Sequence, residues 1–439
     1  MESWMWGILA TVLMLVVIFA AVPIAFGLFI GGLAGMFLIA DLKLMGGQLA
    51  SLSYAVLASY SWAVIPMFFL MGQFAAYGRL AEDAFEAAKN WLGRIHGSLA
   101  MATTFGCAAF GAASGSSAAS VELFAKVAGP EMIRAGYDRS LAAGCIAGSG
   151  TMAVMIPPSV ILLLYGIIAE QSLGKLLMAG ILPGILEAVS YSLLIYLRVR
   201  FNPRLAPTTE FRATTRAKIT SASRILPILL VFFFAIGGIF FGIFTPTEGG
   251  AMGAGGALLV VLAMRRLSFK NFKSSLNESA IQTGMVVFAM LGGLMFSRML
   301  VLSGGLEIIT NFVTALPVSK HIIFAGVILI YLILGMVMQA TILMLVTVPI
   351  LLPAMLALGY DPIWFGIMIV RMGEVAMITP PVAVNLYIVR DALSNEGVTL
   401  GTTFRGTLWF LAADGSNVLL LYLFPQIALW LPEKMWAGG

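Results

Sequence analysis

The chain has 439 residues, of which 60% are hydrophobic and only 10% are charged. A soluble domain carries about a quarter charged residues, so the composition excludes an ordinary soluble fold. The net charge of +5 needs no nucleic-acid partner, because a solvated cytoplasmic face accounts for it. Apolar stretches of about 20 residues recur, which is the length of a membrane-spanning helix. We therefore predict an all-α polytopic membrane protein. Its first apolar segment is interpreted as a retained span, because no basic region or cleavage site marks a signal peptide.

The first half begins with three spans and an amphipathic arm. A hairpin with the polar tip FGAASGSSAASVELF follows, then a proline-broken helix and a last helix. The hairpin arms are about 15 residues long, too short to cross separately, which favours a re-entrant hairpin. The predicted bounds are scaffold spans at 5–22, 24–40 and 50–77 (together 5–77), the arm at 80–93, the hairpin at 97–130, the broken helix at 139–170 and the last helix at 175–197.

The second half repeats the first at a constant offset of 223 residues. The offset aligns Gly136-Tyr137-Asp138 with Gly359-Tyr360-Asp361, and Pro157-Pro158 with Pro380-Pro381. We therefore predict two repeats, 1–200 and 225–439, joined by a basic linker, 201–224. The predicted bounds in the second repeat are scaffold spans at 226–243, 247–264 and 278–300 (together 226–300), the arm at 306–316, the hairpin at 321–357, the broken helix at 362–392 and the last helix at 404–431.

Topology follows from the number of crossings and from the positive charges. Each half is predicted to cross the membrane five times, and an odd number inverts the second repeat relative to the first. This layout places eighteen Lys and Arg residues on one side and four on the other. The rich side is predicted to be cytoplasmic. Both termini are then external, and the linker is cytoplasmic.

The proline-broken helices are predicted to hold ions. Proline removes a backbone donor inside a helix, and the freed carbonyls are tolerated at membrane depth only where they line a polar cavity or hold an ion. Their oxygens suit Na⁺, while exposed helix N-termini favour an anionic substrate group. The first predicted Na⁺ site comprises Ser114, Gly115, Ser116, Ser117, Ala118, Ser149, Gly150, Thr151 and Pro157. The second comprises Met338, Gln339, Ala340, Thr341, Gly373, Glu374, Thr379 and Pro380. The substrate is predicted between the hairpin tips, at Ser116, Ser117, Gln339, Thr341 and Asn385.

Other interpretations of these residues remain open from the sequence. Consecutive prolines can simply kink a span, and small residues at a tip can serve close helix packing. Glu374, an ionisable group at membrane depth, is a functional candidate, but Arg371 three residues earlier could pair with it. Glu187 and Asp414 also lie inside spans, and no role follows for them. Glu122 and Lys126 are predicted to form a structural pair. The two cysteines have no metal or redox spacing, and no cofactor is expected.

Several segments, in order along the chain, resemble the large membrane subunit of the tripartite ATP-independent periplasmic (TRAP) transporters. They are SGSSAAS (114–120), IPPSVILLLYGIIAEQSLGKLLMAGILPGIL (156–186), GIFTPTEGGA (242–251), GYDPIWFGIM (359–368) and ITPPVAVNLY (378–387). Within the resemblance there are departures. Ala153 and Ala376 stand where the family usually has glycine, and Gln339 and Ser120 stand where it commonly has an acidic residue.

The resemblance implies an elevator-type architecture, like that of the ion transporter superfamily, and a Na⁺-driven importer of an organic acid anion, either a carboxylate or a sulfonate. It also implies two partners, a small four-helix membrane subunit and a periplasmic substrate-binding protein, in the cytoplasmic membrane of a bacterium or archaeon. A stand-alone Na⁺/divalent-anion symporter of the same architecture is the alternative. An enzyme is not expected, because the chain has no catalytic motif.

Overall fold

The structure, a computed structural model, describes residues 2–20, 22–207, 213–336 and 338–435. Within these ranges the secondary structure is helical throughout, which confirms the all-α prediction. Five helices there are long and apolar enough to cross a membrane, and the number rises to seven if each of two bent helix pairs counts as one span. This agrees with the predicted polytopic membrane protein.

The helices of the first half follow the order of the predicted elements, with one difference. The predicted span at 50–77 is two helices, bent by 54° across a short 3₁₀ turn. Pro66 lies in the first turn of the second of them, where its missing N–H is tolerated, so a new helix starts there easily. The helices are α1 Ser3–Phe19, α2 Ile24–Ile39, α3 Leu42–Ala58, α4 Val64–Tyr77, α5 Leu80–Leu92, α6 Ser98–Ser114, α7 Ser117–Arg134, α8 Arg139–Met155, α9 Val160–Ile168 and α10 Leu173–Phe201.

The linker and the last helix of the second half differ from their predicted bounds. Helix α10 extends to Phe201 and the next helix starts at Thr215, so the linker is shorter than predicted, and its residues 208–212 lie outside the described residues. The predicted helix 404–431 is divided before Gln426, because Pro425 has no N–H to continue the ladder. The helices are α11 Thr215–Phe232, α12 Gly238–Phe240, α13 Pro246–Ala263, α14 Phe269–Leu302, α15 Gly305–Ala315, α16 Lys320–Gly335, α17 Ala340–Ala357, α18 Pro362–Met377, α19 Val384–Ala392, α20 Leu400–Leu423 and α21 Gln426–Lys434.

The two Gly-Tyr-Asp segments form the same turn between a hairpin and the helix that follows it. Gly136 and Gly359 adopt left-handed backbone conformations, with φ of 84° and 81°. The next N–H reaches back to close the preceding helix, from Tyr137 to Met132 at 3.0 Å in the first copy. Each aspartate then caps the following helix, because its carboxylate accepts two backbone N–H groups, at 2.9 and 3.2 Å for Asp138. The repeated motif therefore ends one helix and caps the N-terminus of the next.

Helices α8 and α18 form the centre of the molecule. Both are buried along nearly their whole length, as expected for helices that are mostly apolar or small around their circumference, with Arg371 and Glu374 of α18 as buried charged residues. Helices α6 and α7 pack against α8, and α16 and α17 pack against α18. Two helical hairpins thus lie beside two buried helices that are each interrupted near their ends.

Candidate transport cavity

The tip of the first hairpin lies against the break between α8 and α9. Gly115 closes α6 with a φ of 61°, and a Cβ atom added to it would lie 2.8 Å from the Pro158 carbonyl oxygen. Ser116 then starts α7, and its hydroxyl accepts the Ala119 N–H at 3.4 Å. Gly150 of α8 lies against the same turn, because its added Cβ would be 3.4 Å from the Ser117 carbonyl. The structure therefore brings the first predicted tip and the first proline break together.

The second hairpin tip lies against α18. Gln339 precedes the first residue of α17, and its side chain does not cap that helix. A Cβ added to Gly373 would lie 2.9 Å from the Cβ of Ala340, so close approach of the tip depends on this glycine. Glu374, the next residue, is 1% exposed. The second tip thus meets the helix that carries the buried carboxylate.

A cavity of about 570 Å³ lies between the two tips. It is lined by residues of the first tip, of the second tip and of α18, and by a wall from the scaffold helices α2, α4 and α14. Eight predicted site residues line it: Gly115, Ser116, Ser117, Ala118, Gln339, Ala340, Thr341 and Glu374. This is the arrangement predicted for a substrate between the tips.

The cavity combines helix N-termini with one carboxylate. The first residues of α2, α7, α9 and α17 all line it, and a helix N-terminus presents free N–H groups and a partial positive charge. Glu374 is the ionisable side chain among the described lining residues. Neither of its carboxylate oxygens makes a short hydrogen bond within the described chain, although the Ser117 hydroxyl of the first tip faces them. A buried charged carboxylate without a partner is costly, so either a proton or a bound cation has to neutralise Glu374.

Several predicted site residues lie elsewhere. The Ser149 hydroxyl pairs with that of Thr104 at 2.9 Å, and the Thr151 hydroxyl points to Glu187, at 3.1 Å. Thr379 donates to the Val375 carbonyl at 2.7 Å, beside a separate apolar pocket. Asn385 is fully buried near the start of α19 and does not line the cavity. The other predicted residues outside the cavity lining are Ser114, Met338, Gly150, Pro157, Gly373 and Pro380.

The prediction missed the scaffold wall of the cavity. Its polar member is Gln282 of α14, and its apolar members include Phe26 and Phe69. Gln282, a polar residue within the predicted span 278–300, is the signal that could have identified this wall. Apolar wall residues carry no local signature that distinguishes them from residues facing lipid.

Glycines in the hairpins accommodate the two alanines that depart from the family pattern. A Cβ added to Gly111 of α6 would lie 2.8 Å from the Ala153 Cβ, and one added to Gly335 of α16 would lie 2.5 Å from the Ala376 Cβ. Each alanine therefore packs on a glycine of the neighbouring hairpin. The helices can still approach each other closely, because the glycine now lies on the hairpin helix instead of on α8 or α18.

Arg371 does not pair with Glu374, so that interpretation is wrong. Its guanidinium donates to Glu187 at 2.7 Å and also to Asp414. Glu374 lies about one turn further along α18, and its side chain reaches the cavity instead. The predicted pair of Glu122 and Lys126 is confirmed, at 2.5 Å.

Comparison with known proteins identifies the family. Residues 11–427 match the sequence family described as "Tripartite ATP-independent periplasmic transporter, DctM component". The chain is 33% identical over 383 residues to the C4-dicarboxylate TRAP transporter large permease protein DctM of Pseudomonas aeruginosa, covering 86% of this chain and 87% of that protein. It is 32% identical over 374 residues to the isethionate TRAP transporter permease protein DctMQ of Oleidesulfovibrio alaskensis, covering 84% of this chain and 57% of that protein.

A solved structure shares the fold. The crystal structure of the YdaH transporter of Alcanivorax borkumensis superposes with a TM-score of 0.58, covering 89% of this chain and 90% of that chain at 14% identity. At this identity the likeness concerns the fold alone. The family match spans nearly the whole chain, and the relatives are named as permease proteins. The chain therefore belongs to the DctM family of TRAP transporter large permeases, and it is a multi-pass transport protein, not an enzyme.

Proposed function

We propose that this chain is the permease of a Na⁺-coupled importer that receives an organic acid anion from a periplasmic binding protein. The observation that carries the proposal is the cavity in which two hairpin tips, several helix N-termini and the Glu374 carboxylate meet. The relatives are named for a C4-dicarboxylate and for isethionate. The cargo proposed here accordingly has a carboxylate or a sulfonate group.

The charges in the cavity support cation coupling. The N-terminal ends of α7, α9 and α17 attract an anion, whereas an ionised Glu374 repels it. Among the described lining residues there is no Lys, Arg or His to offset this repulsion. A cation bound beside Glu374 would offset it, because charges a few Å apart interact strongly in a low dielectric. The cargo and the cation would then enter the cavity together.

Na⁺ is the proposed cation because the tips offer oxygen ligands of the kind that hard cations take. The first site is proposed at the Ser114–Ala118 tip, with the backbone near Gly150 and Pro157. The second is proposed at Gln339, Ala340 and Thr341, with Gly373 and Glu374. The substrate lies between them, against the hydroxyls of the tips.

The proposed mechanism is of the elevator type. The cavity has one wall from the hairpins and α18, and another from the scaffold helices α2, α4 and α14. A substrate held by the first wall can be carried past the second when the two bodies slide. The small membrane subunit is proposed to pack on the scaffold, which leaves the hairpin side free to move.

Reconstitution tests the proposal. In liposomes, a Na⁺ gradient should drive uptake only when this chain is combined with the small subunit and the loaded binding protein, using a C4-dicarboxylate and isethionate as probes. This chain alone should transport little free substrate. Robust uptake by the chain alone would favour the stand-alone symporter, and uptake unchanged in choline medium would contradict Na⁺ coupling.

The orientation is a second prediction. Thr214 is exposed at the end of the linker, and the positive charges around it support a cytoplasmic location. A cysteine introduced at Thr214 should resist an impermeant thiol reagent added to intact cells, whereas one at Lys320 should react. The native Cys107 and Cys145 are buried and give little background. Ready labelling at position 214 from outside would overturn the predicted orientation, and labelling at both positions would overturn the inverted layout as well.

A further inference from the structure

Three buried ionisable side chains meet outside the cavity. The Arg371 guanidinium donates to Glu187 Oε1 at 2.7 Å and to Asp414 Oδ1. All three side chains are 2% exposed or less. The carboxylates come from α10 and α20, the arginine from α18. One guanidinium thus joins three helices that are distant in sequence.

Two hydroxyls also join the cluster. Tyr191 of α10 accepts from the Arg371 guanidinium at 3.3 Å and donates to Asp414. Thr151 of α8 lies 3.5 Å from the other guanidinium nitrogen, and its hydroxyl proton is shared between the Gly148 carbonyl at 2.7 Å and Glu187 at 3.1 Å. The fork of the guanidinium therefore has partners on α8, α10 and α20. Only arginine has enough donors in a fixed plane to do this.

The cluster lies next to the cavity along α18. Glu374 follows Arg371 by three residues, close to one helical turn. Its carboxylate oxygens make no short hydrogen bond within the described chain, and the Ser117 hydroxyl of the first tip is the group that faces them. The position of α18 then decides where the Glu374 carboxylate points, and the Arg371 fork holds α18 against its neighbours.

We infer that Arg371 is a positioning residue for cation binding: by anchoring α18 to Glu187 and Asp414, it sets the position of the Glu374 carboxylate in the cavity. This inference rests on the proposed function, since it names the residues that tune its cation site. A purely structural role is the competing explanation. Removing Arg371 alone cannot separate the two, because it leaves two carboxylates buried without a cation.

Two variants separate them. Arg371→Lys keeps the charge but loses the planar fork. The triple variant Arg371→Met/Glu187→Gln/Asp414→Asn removes every charge of the cluster, so no unpaired charge stays buried, and such neutral replacements are often tolerated. The matched control is Glu122→Gln/Lys126→Met, which removes an exposed pair.

The measurement is the Na⁺ concentration that gives half of the Na⁺-induced rise in the thermal unfolding temperature of the purified chain. We expect both cluster variants to fold. The half-maximal Na⁺ concentration should rise by about two- to thirtyfold, which is the range for substitutions that modulate coupling without contacting the ligand. In reconstituted uptake, the half-saturating Na⁺ concentration should rise by a larger factor than the factor by which the maximal rate falls. The control should match the wild type in both assays.

The outcomes are distinct. A folded triple variant with the wild-type Na⁺ response would refute the inference and make the cluster a purely structural feature. If the triple variant does not fold, Arg371→Lys decides: a shifted Na⁺ response supports the inference, and an unchanged one overturns it. A wild-type chain that does not respond to Na⁺ at all would instead refute the proposed Na⁺ coupling.

Discussion

Glu374→Gln should reduce Na⁺-driven uptake by about ten- to 150-fold, the equivalent of the roughly 1.5–3 kcal/mol typical of an interaction with a charged group. The side chain keeps its size, and only the negative charge is lost. Since the carboxylate lines the cavity and is 1% exposed, its loss should weaken the bound cation directly. The measurement is the initial rate of uptake in the complete reconstituted system as a function of Na⁺ concentration.

Glu122→Gln is the control for this experiment. Glu122 lies on the arm of the first hairpin, is well exposed and pairs with Lys126. Exposed pairs contribute little, about 0–1 kcal/mol, so uptake should stay near the wild-type rate. If Glu374→Gln keeps the wild-type rate and Na⁺ dependence, the carboxylate does not hold the coupling ion, and the second proposed site is wrong.

The hairpins and the breaks could be predicted because their signals are local. Gly115 and Ser116 interrupt two apolar arms, and the chain turns at these residues. Consecutive prolines end α8 where the prediction placed a break. Small residues, prolines and capping aspartates act within a few positions of themselves, so one sequence is enough to place them.

The ion pairs and the cavity wall could not be predicted because they depend on long-range packing. Arg371 has a carboxylate three residues away, yet its partners lie 184 and 43 residues away. Helical spacing brings Glu374 within reach of Arg371. The packing of α18 on α10 and α20 nevertheless decides which carboxylates the Arg371 side chain meets. The same holds for Gln282, whose function as part of the wall depends on where α14 lies.

Gly115→Ala tests how closely the first tip must approach the proline break. A Cβ atom there would lie 2.8 Å from the Pro158 carbonyl oxygen, and the backbone φ of 61° is unfavourable for alanine. The backbone strain is about 1–2 kcal/mol, and the contact with Pro158 adds to it by pushing the tip away from the break. Uptake should therefore fall by about tenfold or more, since 1.4 kcal/mol corresponds to a factor of ten.

Gly359→Ala tests the effect of backbone strain without a steric contact. Gly359 has a φ of 81°, but a Cβ atom added there meets nothing within 4 Å. This variant should lose the thermal stability that the strain alone costs while keeping most of its uptake, because the turn after α17 lies outside the cavity. The comparison is of uptake rate per folded protein in the complete system. Equal losses of uptake in the two variants would mean that strain alone is responsible, and that the tip does not need to seat against the break for transport.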